Sequence, residues 1–178
     1  MKAGLRLNLI VLAMTAMSAI SSSVVLAADT AATPAVTAAR APTDKAAYFD
    51  NTNLQNIWKD LEARQVLNQR VLEGGTHSIN VRIVKENDAP LVHHKSVDVW
   101  VVMAGTATSV TGGELLNPTQ RANADDMAGT AIRGGVEQPL KQGDVIFVPP
   151  GVPHGFKNVK GFRAFLIRYD VQTGAATP

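Results

Sequence analysis

The sequence predicts an all-β domain, a sandwich or barrel, preceded by one amphipathic helix, and three observations lead there. Short apolar runs with a two-residue period recur from about residue 65 onward, glycines punctuate them, and only one segment has a helical period. Thr52 and Gln55 have capping-box spacing, and Leu54, Ile57, Trp58 and Leu61 then recur on one helical face, giving a helix within residues 48–64 that should lie on the outside of the β domain.

The strand candidates come in order along the chain. Gln65 to Leu72 is a first run, ended by Gly74-Gly75, and His77 to Val84 alternates Ile79, Val81 and Ile83 with Ser78, Asn80 and Arg82. A polar turn at Lys85 to Pro90 leads into Leu91 to Met103, where Val97, Val99 and Val101 alternate with Asp98, Trp100 and Val102. Gly105 breaks the run, Thr106 to Thr111 resumes it and Gly112-Gly113 ends it. Glu114 to Gly129 is polar, contains Pro118 and lacks a period, so it reads as a surface excursion. Ala131 to Arg133, Asp144 to Val148 and Phe162 to Val171 complete the set, with the domain expected over residues 65–174.

Residues 1–27 read as a secretory signal peptide. Lys2 and Arg6 form a basic start, Leu7 to Ile20 is mostly apolar, and Val25-Leu26-Ala27 is a small-residue cleavage site, which implies a periplasmic or secreted protein. The apolar run holds Asn8, Thr15 and Ser18 and is shorter than the roughly 20 residues a spanning helix needs, so no stable membrane insertion is expected after cleavage. Residues 28–47, rich in Ala, Thr and Pro, read as a flexible leader. Losing Lys2 and Arg6 takes the formal charge from +2 to 0, and a neutral chain offers no electrostatic footprint for nucleic acid. There is no cysteine, so stability has to come from the core of about 150 remaining residues.

Gly143, Pro149, Gly151, His154 and Asn158 fill every fixed position of the pattern G, five residues, P, one residue, G, two residues, H, three residues, N. In this the chain resembles the cupins, and in particular exported single-domain bacterial cupins. The resemblance implies a double-stranded β-helix, a jelly-roll-like barrel. The physics of the motif is legible: Gly143 opens a turn, Pro149-Pro150-Gly151 forces a reversal, and the returning strand presents His154 to the interior. The family's other motif is H, one residue, H, three or four residues, E, six residues, G. Gly105 stands in its glycine place and Asp98 in its acidic place, while only one of His93 and His94 fits a histidine place and the other histidine is missing.

Imidazole and carboxylate groups suit a divalent transition metal, Mn, Fe, Ni, Cu or Zn. The expected ligands are His154, Asp98, one of His93 or His94, since adjacent strand residues face opposite sides, and His77 in place of the missing histidine. His77 is expected opposite Asp98 if the segments holding them pair as a hairpin. Arg82, Arg163 and Arg168 read as solvent-facing, with anion binding as the alternative, and Trp58 and Trp100 as packing residues. Nucleotide-binding glycine motifs, a serine nucleophile elbow and a CxxC pair are absent. Three functions stay open: a metal enzyme of dioxygenase, isomerase or lyase type, a non-catalytic cupin binding a small molecule, and a structural role, with the resemblance also implying a homodimer.

Overall fold

The computed structural model describes residues 37–122 and 125–171, so the segment read as a signal peptide lies outside the described residues. In chain order the elements are β1 (Ala39–Arg40), α1 (Asn51–Ala63), β2 (Asn68–Glu73), β3 (His77–Ile83), β4 (Leu91–His93), β5 (Ser96–Thr111), β6 (Glu114–Leu116), β7 (Thr119–Gln120), β8 (Asp126–Ala128), β9 (Ala131–Arg133), β10 (Val136–Lys141), β11 (Val145–Val148) and β12 (His154–Asp170). Ala39–Arg40, within the stretch expected to be a flexible leader, pairs with Leu72 and Glu73 of β2. The helix begins at Asp50, whose carboxylate accepts from the Asn53 N–H at 2.9 Å, so the cap is two residues before the expected Thr52. Among the described residues no helix is long and apolar enough to cross a membrane.

Two long strands organise the barrel. β5 and β12 run antiparallel along their whole lengths, from Ser96 opposite Asp170 to Thr111 opposite His154. β10 and β11 lie on the far edge of β5, and β3, β2 and β1 continue outward from β12. β12 also reaches β4 through His154 and Leu91, and β4 carries β8 and β7. The polar segment expected as a surface excursion therefore supplies β6, β7 and β8, and β8 closes one end of the barrel against β4. Polar composition hid them, because strands this short need few apolar contacts when their neighbours hold them.

The pairing sorts side chains by face. Side chains opposite one another on adjacent strands share a face. Ser78, Arg168 and Asp98 form one such row, Asn80, Leu166 and Trp100 the next, and Arg82 and Ala164 stand in a third. This face is the barrel interior, and Trp100, Val102, Ala164, Leu166 and Phe162 form its apolar half. The opposite face of β3 and β12, with Ile79, Val81, Ile83 and Phe165, packs under Trp58 and Leu61 of α1. The Trp58 ring stands 5.1 Å from Phe165, and its N–H donates to the Arg82 carbonyl. The apolar residues of β3 thus face outward because the helix covers them, leaving the polar alternates to line the cavity.

Gly105 lets β5 and β12 cross the middle of the barrel together. Its φ is +74°, and a Cβ there would collide with the carbonyl oxygens of Lys160 and Gly161. Gly134 has a similar φ of +71° but open space around it. Gly134→Ala is expected to cost about 1 kcal/mol in backbone strain alone. Gly105→Ala adds the collision and should cost at least about 2–3 kcal/mol. Equal shifts of the two urea midpoints would contradict the close approach.

Candidate metal centre

Asp98, on the interior face of β5, is 1% exposed and lies at the centre of a polar cluster. Its Oδ2 is 3.4 Å from His154 Nε2 and 3.6 Å from His93 Nε2. The two histidines come from different strands, joined by the backbone: the Gly151 N–H donates to the His93 carbonyl at 2.8 Å, which ties the reversal before β12 to the end of β4. Asp98 follows His93 by five positions, an odd offset that would put them on opposite faces of a regular strand. The chain solves this by breaking the strand between β4 and β5 at His94-Lys95, where the His94 N–H donates to the Asp125 carbonyl.

Both inward histidines have a fixed tautomer. His154 Nδ1 is 3.1 Å from the Val152 carbonyl, which can only accept, so Nδ1 carries the proton and the buried Nε2 keeps a lone pair with no hydrogen-bond partner of its own. His93 Nε2 is 2.7 Å from an Arg168 nitrogen, which can only donate, so that ring is also protonated at Nδ1, 2.7 Å from Asp126 Oδ1. Burial, reinforced by the Arg168 charge, pushes the His93 pKa down and keeps the ring neutral. Two imidazole lone pairs and a carboxylate therefore converge, and their ligand atoms all lie within 4.8 Å of one another.

Arg168 is the cation of this cluster. Its Nε donates to Asp98 Oδ1 at 2.6 Å and an NH2 hydrogen to Oδ2 at 2.7 Å, a bidentate pair. Burial alone would raise the Asp98 pKa, but the hydrogen bonds and the charge of Arg168 reverse that and hold the carboxyl well below the usual range. Burial likewise works against the Arg168 charge, and Asp98 more than restores it.

Residues 128–167 match the cupin-domain family. That segment runs from β8 to β12 and contains the complete G-to-N motif with His154 facing inward. That segment is similar to a cupin domain. Solved structures of similar form include a Bacillus halodurans protein (11% identity, 77% of this chain and 91% of that one, TM-score 0.48). A Klebsiella pneumoniae protein with a double-stranded β-helix domain is another (23%, 62% and 75%, TM-score 0.43), as is KdgF from Halomonas sp. (12%, 59% and 80%, TM-score 0.41). No curated protein matches the sequence.

Of the five expected ligands, the fold brings together His93, Asp98 and His154. His94 lies in the strand break itself and is exposed. His77 is exposed as well, its ring against Gly74. The expected hairpin between the segments of His77 and Asp98 does not form, because β12 lies between them, and His77 shares its row with Tyr169 and Val97 on the opposite face from Asp98. Of the arginines read as solvent-facing, only Arg163 turns outward, to Glu62 of α1, while Arg82 and Arg168 line the interior. Asp126 and Arg168 were missed as members of the site. The signal for Arg168 was its even spacing from Ala164 and Leu166, which shows the interior face of β12 once Phe165 is assigned to the helix side.

A cavity of about 470 Å³ opens beside the cluster, lined by Arg168, Arg82, Trp100, Asn80 and Arg121 among others. Its size suits a small molecule.

Proposed function

We propose that this protein holds a divalent transition metal, Mn, Fe, Ni, Cu or Zn, through His93, Asp98 and His154, and binds a small molecule in the adjoining cavity. The observation that carries the reading is the convergence of two buried Nε2 lone pairs on one carboxylate oxygen at 3.4 and 3.6 Å. Ligands about 2.1 Å from a tetrahedral ion stand about 3.4 Å apart, so the donor set fits such an ion. Three protein ligands leave a position open toward the cavity, and a metal there would act as a Lewis acid on an oxygen of the bound molecule.

The chain's own residues do the positioning. Asp126 and the Val152 carbonyl fix the imidazole tautomers, as outer-shell partners of metal-bound histidines do. Arg168 Nε holds Asp98 Oδ1 and leaves Oδ2 as the ligating atom, provided the NH2 group moves off Oδ2 and His93. That same grip supports a second reading, a non-catalytic binding cupin in which the guanidinium stands in for the metal.

Metal analysis of protein prepared without an affinity tag separates the two. The first reading expects about one transition-metal ion per chain, lost in His154→Ala. Equal, near-zero metal in both proteins selects the second.

A further inference from the structure

Beside the metal cluster, the cavity holds more hydrogen-bond donors and positive charge than the protein itself satisfies. Four arginines line it, Arg70, Arg82, Arg121 and Arg168, against one acid, Asp88. Arg70 is engaged by Glu73 and Arg168 by Asp98. Arg82 and Arg121 remain; Arg82 approaches Asp88 only at a long 3.7 Å, and that Asp88 oxygen is itself buried without a hydrogen-bond partner. The Arg82 Nε is buried without a hydrogen-bond partner, and so is the indole N–H of Trp100, a residue only 4% exposed. Among the described residues no ion pair is formed by Arg121, which stands at the exposed edge of the cavity.

Unsatisfied buried donors are costly, and a buried guanidinium keeps its charge rather than neutralise. An arrangement of this kind is stable when something that enters the cavity supplies the acceptors. The Arg82 guanidinium carbon lies 5.8 Å from the centre of the Trp100 ring. The guanidinium stands over the face of the ring, so the unpartnered Arg82 Nε and the indole N–H, which lies in the ring plane, belong to adjacent side chains lining one cavity.

We propose that the small molecule bound by this protein is an organic anion, with its carboxylate or phosphate group held by Arg82 and the Trp100 N–H and attracted by Arg121. The rest of the molecule extends along the cavity toward His93, Asp98 and His154. This deepens the function proposed above by naming the ligand class of the same site. Arg82 and Trp100 fix the orientation, and Arg121 at the mouth steers the anion in.

The test uses the mature chain, both chelator-treated and zinc-loaded, with succinate, malonate and tartrate as carboxylate probes. Inorganic phosphate and glycerol phosphate are the phosphate probes, and succinamide and erythritol the neutral controls. Calorimetry and thermal unfolding should show binding by one anionic class and none by the neutral controls. The carboxylate and phosphate arms decide which group the site prefers. Arg121→Gln, at an exposed position that leaves the core intact, should weaken binding about tenfold and flatten its salt dependence. Arg82→Gln should weaken it further. Neutral controls that bind as well as the anions, no response to any anion, or an Arg121→Gln protein with unchanged affinity would each overturn the proposal. The chelator-treated arm keeps the two readings apart: anion binding without metal uptake sinks only the metal centre, and metal uptake without anion binding sinks only this inference.

Discussion

Replacing Arg168 by methionine is expected to destabilise the metal-free protein by about 3–5 kcal/mol, more than replacing Asp98 by alanine. The asymmetry comes from burial. Asp98 is 1% exposed at its side chain and cannot reach water when its partner is removed, whereas Arg168 is 26% exposed and can extend into the cavity when Asp98 is removed. In the doubly substituted protein no charge is stranded, so it should recover most of the loss. Because Asp98 is held below the ordinary carboxylate range, its pairing stabilises the folded protein above about pH 4 and is lost as the pH falls below that. Arg168→Met reverses the sign, since its unpaired buried carboxylate takes up a proton more readily and the variant loses stability as pH rises. Added zinc should raise the melting temperature of Arg168→Met more than that of the unaltered protein, since the ion supplies the missing positive charge and meets no competing guanidinium. Urea titrations at several pH values, with and without zinc, measure all of this. A cost under about 1 kcal/mol would mean that the carboxylate finds another partner.

The second large effect is on metal affinity. Removing an outer-shell partner of a metal ligand typically costs about 10–100-fold. Removing the imidazole of His154 or His93 takes away a ligand itself, one of three, and the loss should exceed that range. Asp126→Asn should fall inside it, because it disturbs only the proton on His93 Nδ1.

Much of the fold was legible in the sequence, and the failures have identifiable causes. The complete motif from Gly143 to Asn158 announced the reversal, and Gly143 and Gly151 do adopt φ of +93° and +77°. The helix and β3 stand where their periodicities place them. β12 begins at His154, earlier than its apolar part suggests, because its first half alternates lysines and glycines with the interior residues His154 and Phe156. β3 misled in another way: the assumed hairpin put His77 opposite Asp98, whereas β12 separates the two strands, the helix covers the face of Ile79, Val81 and Ile83, and the polar alternates line the cavity. The choice between His93 and His94 depended on a strand break that no periodicity marks. Asp126 sat in a polar stretch with no strand signal, and its place beside His93 exists only because β8 pairs with β4.

The central claim is that three particular side chains form the metal centre, and calorimetric zinc titration of the chelator-treated protein tests it most directly across four histidine variants. The unaltered protein, His77→Ala and His94→Ala should bind one ion with the same affinity, while His93→Ala and His154→Ala should lose more than about 100-fold. Absence of binding by the unaltered protein, or a loss caused by His77→Ala or His94→Ala as large as that caused by His93→Ala, would contradict the account.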